Sequence, residues 1–189
     1  TLGVGADRMR LVPNAVDLAV CDSLASPLDG TRVRERAGIG PGEIVLLSVA
    51  RLERNKGLHV LADALGSLKD LAWRWAVVGD GPFRSAIEAR VAANGIESRT
   101  LMAGRLEDAA LHAWYEAASM CVHPTQYEGS SIVTLEAMSH RRPVVATCRY
   151  ARAAHTDRYL HGGSVSVFRD RRPGRDEAGA ADRSCRCVH

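Results

Sequence analysis

A chain of 189 residues is long enough for one sizeable α/β domain or two small ones, its 46% apolar and 25% charged side chains are ordinary for a globular protein, and no apolar run reaches the roughly eighteen residues a membrane span needs. The net charge of +3 is too small to point to nucleic acid and allows only a modest preference for an anionic ligand. Five cysteines, at 21, 121, 148, 185 and 187, form no disulfide framework, and Cys185-Arg186-Cys187 is too tight for a four-ligand metal site. Reduced thiols in a cytoplasmic setting are expected. The chain opens on Thr1 rather than Met and is expected to be part of a longer protein.

Met9 to Val12 is a short apolar piece ended by Pro13-Asn14, a turn signal. Residues 18–29 read as loop, and Arg32 to Ala37 as one or two helical turns stopped by Gly38 and Gly40-Pro41-Gly42. Ile44 to Ala50 is a continuous apolar run of strand length, the pattern of a strand buried on both faces. A polar loop, Arg51 to Gly57, follows, and then Leu58, Leu61, Leu65 and Leu68 recur at helical spacing.

The pattern repeats. Trp75 to Val78 reads as a strand closed by Gly79-Asp80-Gly81-Pro82, and Phe83, Ile87 and Val91 mark the next helix. Thr100 to Ala103 is a strand, and Leu111, Trp114, Tyr115 and Ala118 mark an amphipathic helix. Met120 to Val122 is a strand with Cys121 in the core. His123 takes a supporting position, Ser131 to Ser139 is a helix, and Pro143 to Ala146 is a strand. Strands alternating with helices predict βαβ units and an α/β, doubly wound, Rossmann-like parallel sheet. Arg149 to His189 holds nine arginines, no lysine and no clear period. The expected domain is therefore residues 1–168, with 169–189 a disordered or aberrant tail.

In such a sheet, ligands bind outside the carboxyl ends of the strands. The loops there are Arg51–Gly57, Gly79–Pro82, Gly104–Arg105 and His123–Ser131. Arg51 and Lys56 supply cations, and Lys56 is one of only two lysines. Gly129, Ser130 and Ser131 sit where a helix begins, so its first N–H groups favour an anion. Glu128 and Glu136 are carboxylates suited to sugar or ribose hydroxyls. Cations and amides for a diphosphate, with carboxylates for hydroxyls, fit a nucleotide sugar. Taken singly, each also fits an ordinary surface role: solvated acids near a helix start, or charges on a loop. Gly79 to Pro82 is not the dinucleotide fingerprint, because no G-x-G-x-x-G opens its helix.

The order of these pieces is more specific. Pro13-Asn14-Ala15-Val16-Asp17 comes first, then Val49-Ala50-Arg51-Leu52 with Lys56-Gly57, Val77 to Pro82, and Gly104. Pro124 with Glu128-Gly129 follows, then Glu136-Ala137-Met138 and Pro143 to Thr147. This resembles the donor-binding, C-terminal half of retaining GT-B glycosyltransferases, the glycosyl transferases group 1, family 4 type, over residues 8–148. Seven residues separate the two glutamates, as in that family.

The resemblance implies a hexosyltransferase that uses a UDP-, GDP- or ADP-sugar and needs no cofactor or metal. Arg51, Lys56 and Glu128 would be its catalytic residues, with the two cations on the donor diphosphate. Glu136 would hold ribose. Gly79, Asp80, Gly81, Gly129, Ser130, Ser131 and Ile132 would line the donor cleft, and Arg105 and Leu106 would lie near the base. The acceptor, a glycan, lipid or small molecule, would be bound by an N-terminal domain, without which this piece alone is expected to be inactive. Polysaccharide biosynthesis and peripheral membrane association of the full-length enzyme are family expectations.

Four departures stand out. Ala15 replaces a Gly, Ser130-Ser131 replaces Phe-Gly, and the His140-Arg141-Arg142 loop lacks the Gly before Pro143. A Gly-Gly segment after Thr147 is also missing, which is expected to reflect a truncation or a change of reading frame near residue 148. The other readings are an inactive nucleotide-sugar-binding remnant and a GT-B sugar-nucleotide epimerase.

Overall fold

The structure, a computed structural model, describes residues 8, 10, 12–128, 131–147, 165–168 and 186–188. Five parallel strands form the body of one sheet: β1 (Ile44–Val49), β2 (Trp73–Val78), β3 (Thr100–Gly104), β4 (Met120–His123) and β5 (Val144–Thr147). Two further strands, β6 (Val165–Phe168) and β7 (Arg186–Val188), extend it antiparallel, so the order is β3-β2-β1-β4-β5-β6-β7. The chain winds outward from β1 through β2 to β3, then crosses back to place β4 on the other side of β1. That reversal leaves a crevice at the carboxyl ends of β1 and β4.

The doubly wound expectation therefore holds, and β1 shows why its sequence is apolar apart from Ser48, whose buried hydroxyl donates to the Val122 carbonyl at 2.8 Å. Val45 and Leu47 face one core layer with Trp114, Tyr115 and Ala137. Leu46 faces the opposite layer with Leu58, Leu65, Ile87 and Val91. Alternate side chains enter opposite layers, and both layers are covered by helices, so Val45 to Ser48 are closed to water and only the strand's ends, Ile44 and Val49, keep exposure. Helices α3 (Leu58–Gly66) and α4 (Arg84–Ala93) cover one face. Helices α5 (Asp108–Ala117) and α6 (Ile132–Ser139) cover the other.

The expected loop over residues 18–29 is corrected: α1 (Leu18–Leu24) and α2 (Pro27–Arg36) occupy most of it. Caps, not periodicity, set these helices. The Asp17 carboxylate accepts from the Ala19 and Val20 amides. Ser26 and Asp29 form a reciprocal capping box, with Pro27 in the first turn where its missing N–H costs nothing. Only Cys21 is buried in α1 and only Gly30 in α2, so neither helix carries the apolar stripe that a periodicity search needs. Smaller shifts are at element ends: β2 starts at Trp73, β4 runs on to His123, and Leu68 lies beyond the end of α3 and is exposed. Of the expected tail, residues 169–185 lie outside the described residues, and Arg186–Val188 pair as β7.

Candidate functional site

Three loops meet at the crevice. After β1 the chain runs through Ala50 to a 3₁₀ turn, Arg54–Lys56. The Leu52 amide donates to the Asp80 carbonyl (2.9 Å), and the Phe83 amide returns a bond to Leu52 (2.9 Å), which seams this loop to the one after β2. Across the crevice, the Gln126 amide donates to the Asn55 carbonyl (2.7 Å), joining the loops after β1 and β4. Two glycines make this approach possible. Gly57 has φ +70°, and a Cβ there would sit 2.0 Å from the Pro124 carbonyl oxygen. At Gly79, φ is +134° and a Cβ would lie 1.9 Å from the Ala50 carbonyl oxygen. Any side chain at either position would force the strand-end loops apart.

This seam brings Lys56 and Glu128 together. They are 72 residues apart in sequence, yet Lys56 Nζ donates to Glu128 Oε2 at 2.5 Å, and both side chains are mostly buried. His123, at the end of β4 and 5% exposed, lies beneath with Nε2 at 3.5 Å from the same oxygen. Burial alone pushes the Glu128 carboxyl up. The Lys56 hydrogen bond and charge, helped by His123, outweigh it and hold the carboxyl below its usual range. Burial pushes the His123 imidazole down against the pull of Glu128, and the Lys56 charge adds to the fall. At neutral pH the arrangement is thus a cation, an anion and a neutral imidazole at a strand-end crevice.

The other expected site residues spread around this pair. Arg51 begins the same loop but is exposed, and its guanidinium pairs with Glu53 rather than with Glu128. The Asp80 carboxylate accepts from the Gly81 amide at 2.8 Å, which shapes the turn. Arg105 is exposed and paired with Glu107. Leu106 packs, partly buried, on the core layer below α5. Ser131 caps α6 by accepting from the Thr134 amide at 3.3 Å, and Ile132 opens that helix with its side chain half exposed. Gly129 and Ser130 lie outside the described residues. Glu136, on α6, does not join the Lys56–Glu128 pair; its Oε2 accepts from the Tyr115 hydroxyl at 2.8 Å.

Sequence reasoning did not single out Asn55, Thr125 or Tyr115. Asn55 acts through its carbonyl, and no side-chain pattern reveals that. Thr125 is buried, donating to the Tyr127 carbonyl (2.9 Å), and its own carbonyl accepts from the Thr147 hydroxyl, which ties β5 to the site. Tyr115 reads as a core position at helical spacing. The available signal was the hydroxyl, since a buried tyrosine needs a partner for it.

A family model described as glycosyl transferases group 1 matches residues 43–168. The chain is 32% identical over 116 residues to an alpha-D-kanosaminyltransferase of Streptomyces kanamyceticus, covering 60% of this chain and 30% of that protein. It is 31% identical over 151 residues to a D-inositol 3-phosphate glycosyltransferase of Pseudarthrobacter chlorophenolicus, covering 77% and 35%. The chain thus spans about a third of the length of these curated relatives. Among solved structures, Anabaena HepE in complex with UDP and glucose superposes with a TM-score of 0.67 at 26% identity, over 76% of this chain and 39% of that one. The C-terminal domain of a group 1 glycosyl transferase, LpcC of Francisella tularensis, shares the fold with a TM-score of 0.59 at 23% identity, over 70% of each chain. By fold and by sequence, the chain belongs to the glycosyl transferases group 1, as one Rossmann-like half of the GT-B arrangement.

Proposed function

We propose that this chain is the donor-binding half of a retaining glycosyltransferase, holding a nucleoside diphosphate sugar for transfer of a hexosyl group to an acceptor hydroxyl. The observation that carries this reading is the meeting of Lys56 and Glu128 at the carboxyl ends of β1 and β4. A cation and a hydroxyl acceptor at one switch-point crevice match the two halves of a sugar diphosphate. Similarity to a protein solved with UDP and glucose supports the ligand class.

In this reading Lys56 binds the diphosphate, and Arg51 joins it by leaving Glu53. The bond between the anomeric carbon and the phosphate oxygen breaks, and the two cations stabilise the charge that develops on the leaving group. The amides opening α6 add partial positive charge, so the work of a metal ion falls to the protein. Glu128 accepts from a hydroxyl of the sugar, and Glu136 from the ribose. The acceptor oxygen bonds the anomeric carbon on the face the phosphate leaves, and its proton passes to the departing phosphate oxygen. Acceptor contacts come from a second domain, and the setting is cytoplasmic. Among the described residues no helix is long and apolar enough to cross a membrane.

Calorimetric titration with UDP-, GDP- and ADP-glucose tests the donor site. One of the three should bind, and Lys56→Ala should weaken it roughly 10- to 100-fold, the loss expected for a charge-assisted hydrogen bond to phosphate. Binding by none, or equal binding by Lys56→Ala, would contradict the proposal. Analysis of the product anomer made by the full-length enzyme tests retention, and an inverted product would refute it.

A further inference from the structure

Helix α5 and the turn that follows α6 share a buried polar cluster to which the proposed mechanism gives no role. The Tyr115 ring is fully buried and stacks on His140, with 5.6 Å between centroids and 8° between planes. His140 is held on both sides: Nδ1 lies 2.6 Å from Glu116 Oε1, and Nε2 lies 2.7 Å from His112 Nδ1. Arg142 donates to the other Glu116 oxygen at 2.6 Å. The ring of Tyr115 is therefore held in place, and its hydroxyl donates to Glu136 Oε2 at 2.8 Å. Burial pushes the phenol far up, and the Glu136 charge adds to this, so the hydroxyl stays a donor throughout the working pH range. Among the described residues Glu136 Oε1 takes no such bond, which leaves that oxygen as the acceptor for a ligand.

We propose that Tyr115 is the positioning residue for Glu136, pinning Oε2 so that Oε1 is presented to the ribose hydroxyls of the donor. The inference rests on the donor-site reading of Glu136. A glutamate side chain has three rotatable bonds, and an unrestrained one would have to be ordered by each incoming ligand. The clamp through His140, Glu116 and Arg142 does this in advance and ties the carboxylate to α5 through Tyr115.

The test uses whichever of UDP, GDP and ADP binds the parent chain most tightly, together with its 2′-deoxy form. Affinities for both are measured by calorimetry on the parent, Tyr115→Phe, Glu136→Ala and the double variant, with melting curves alongside. Tyr115→Phe keeps the ring and its stack on His140 and removes only the hydroxyl. The parent should prefer ribose over deoxyribose by about tenfold or more, as a site that hydrogen-bonds a hydroxyl does. Tyr115→Phe should cut that preference about three- to tenfold, leave the deoxy affinity unchanged, and have no further effect once Glu136 is alanine. If Tyr115→Phe keeps the ribose preference while Glu136→Ala loses it, the positioning role is wrong and the donor site stands. Equal weakening of both nucleotides would mean a general structural role and would also overturn the inference. If Glu136→Ala keeps the ribose preference, the donor-site reading of Glu136 fails and takes the positioning role with it.

Discussion

Lys56 and Glu128 illustrate how much a single pair depends on its neighbours. In the sequence they are two charges on two loops, joined only by the strand-end rule and by the order of the motifs. The joint comes from Gly57 against Pro124 and from the Asn55–Gln126 bond. The pair also makes a pH prediction. The folded-state pKa of Glu128 is depressed below its ordinary 4.5. Its contribution to stability is therefore present above that value and is lost as pH falls through the folded one. Urea unfolding of the parent and Glu128→Gln should show a gap at pH 7 that closes on acidification. A gap independent of pH would contradict the assignment.

Arg141 is a second case at this scale. The Arg141 amide bonds the Met138 carbonyl and the Arg142 amide bonds the Ala137 carbonyl, both at 2.9 Å, which is a Schellman end to α6. That motif places Arg141 at φ +58°, where a side chain is strained. The missing glycine noted in the sequence thus falls where backbone geometry asks for one. Arg141→Gly should stabilise the fold by about 0.5–1 kcal/mol, the strain relief less the extra chain entropy of glycine. A lower midpoint in urea would refute this.

At the scale of elements, legibility followed burial. Strands β1, β2, β4 and β5 and helices α3 to α6 carry apolar runs or periods because each packs on a sheet buried on both faces. Helices α1 and α2 bury little, so only their caps announce them, and Asp17 and Ser26-Pro27-Leu28-Asp29 are cap patterns that a search by period passes over. Because α2 depends on its cap, Ser26→Ala should cost about 1 kcal/mol of stability in urea unfolding. No measurable change would mean that packing of α2 on α5, where Gly30 lies against the Glu116–Ala117 backbone, holds the helix alone.

At the scale of the molecule, the order of motifs along the chain carried more than any one of them. Alternation of strand and helix implied the doubly wound sheet, and the switch between β1 and β4 turned two distant loops into one site. The clamp on Glu136 was not legible, because it is built from α5 side chains that read as core and from His140 and Arg142 in the turn after α6, which read as loop. The composition change after residue 148 does not end the family match, which runs to residue 168.

A crevice that holds a diphosphate should separate a nucleoside from its diphosphate by affinity. For the base that binds, the parent should hold the diphosphate at least about tenfold more tightly than the nucleoside, and Lys56→Ala should lose most of that increment. If the variant keeps the full increment, Lys56 is not the diphosphate cation and the site lies elsewhere.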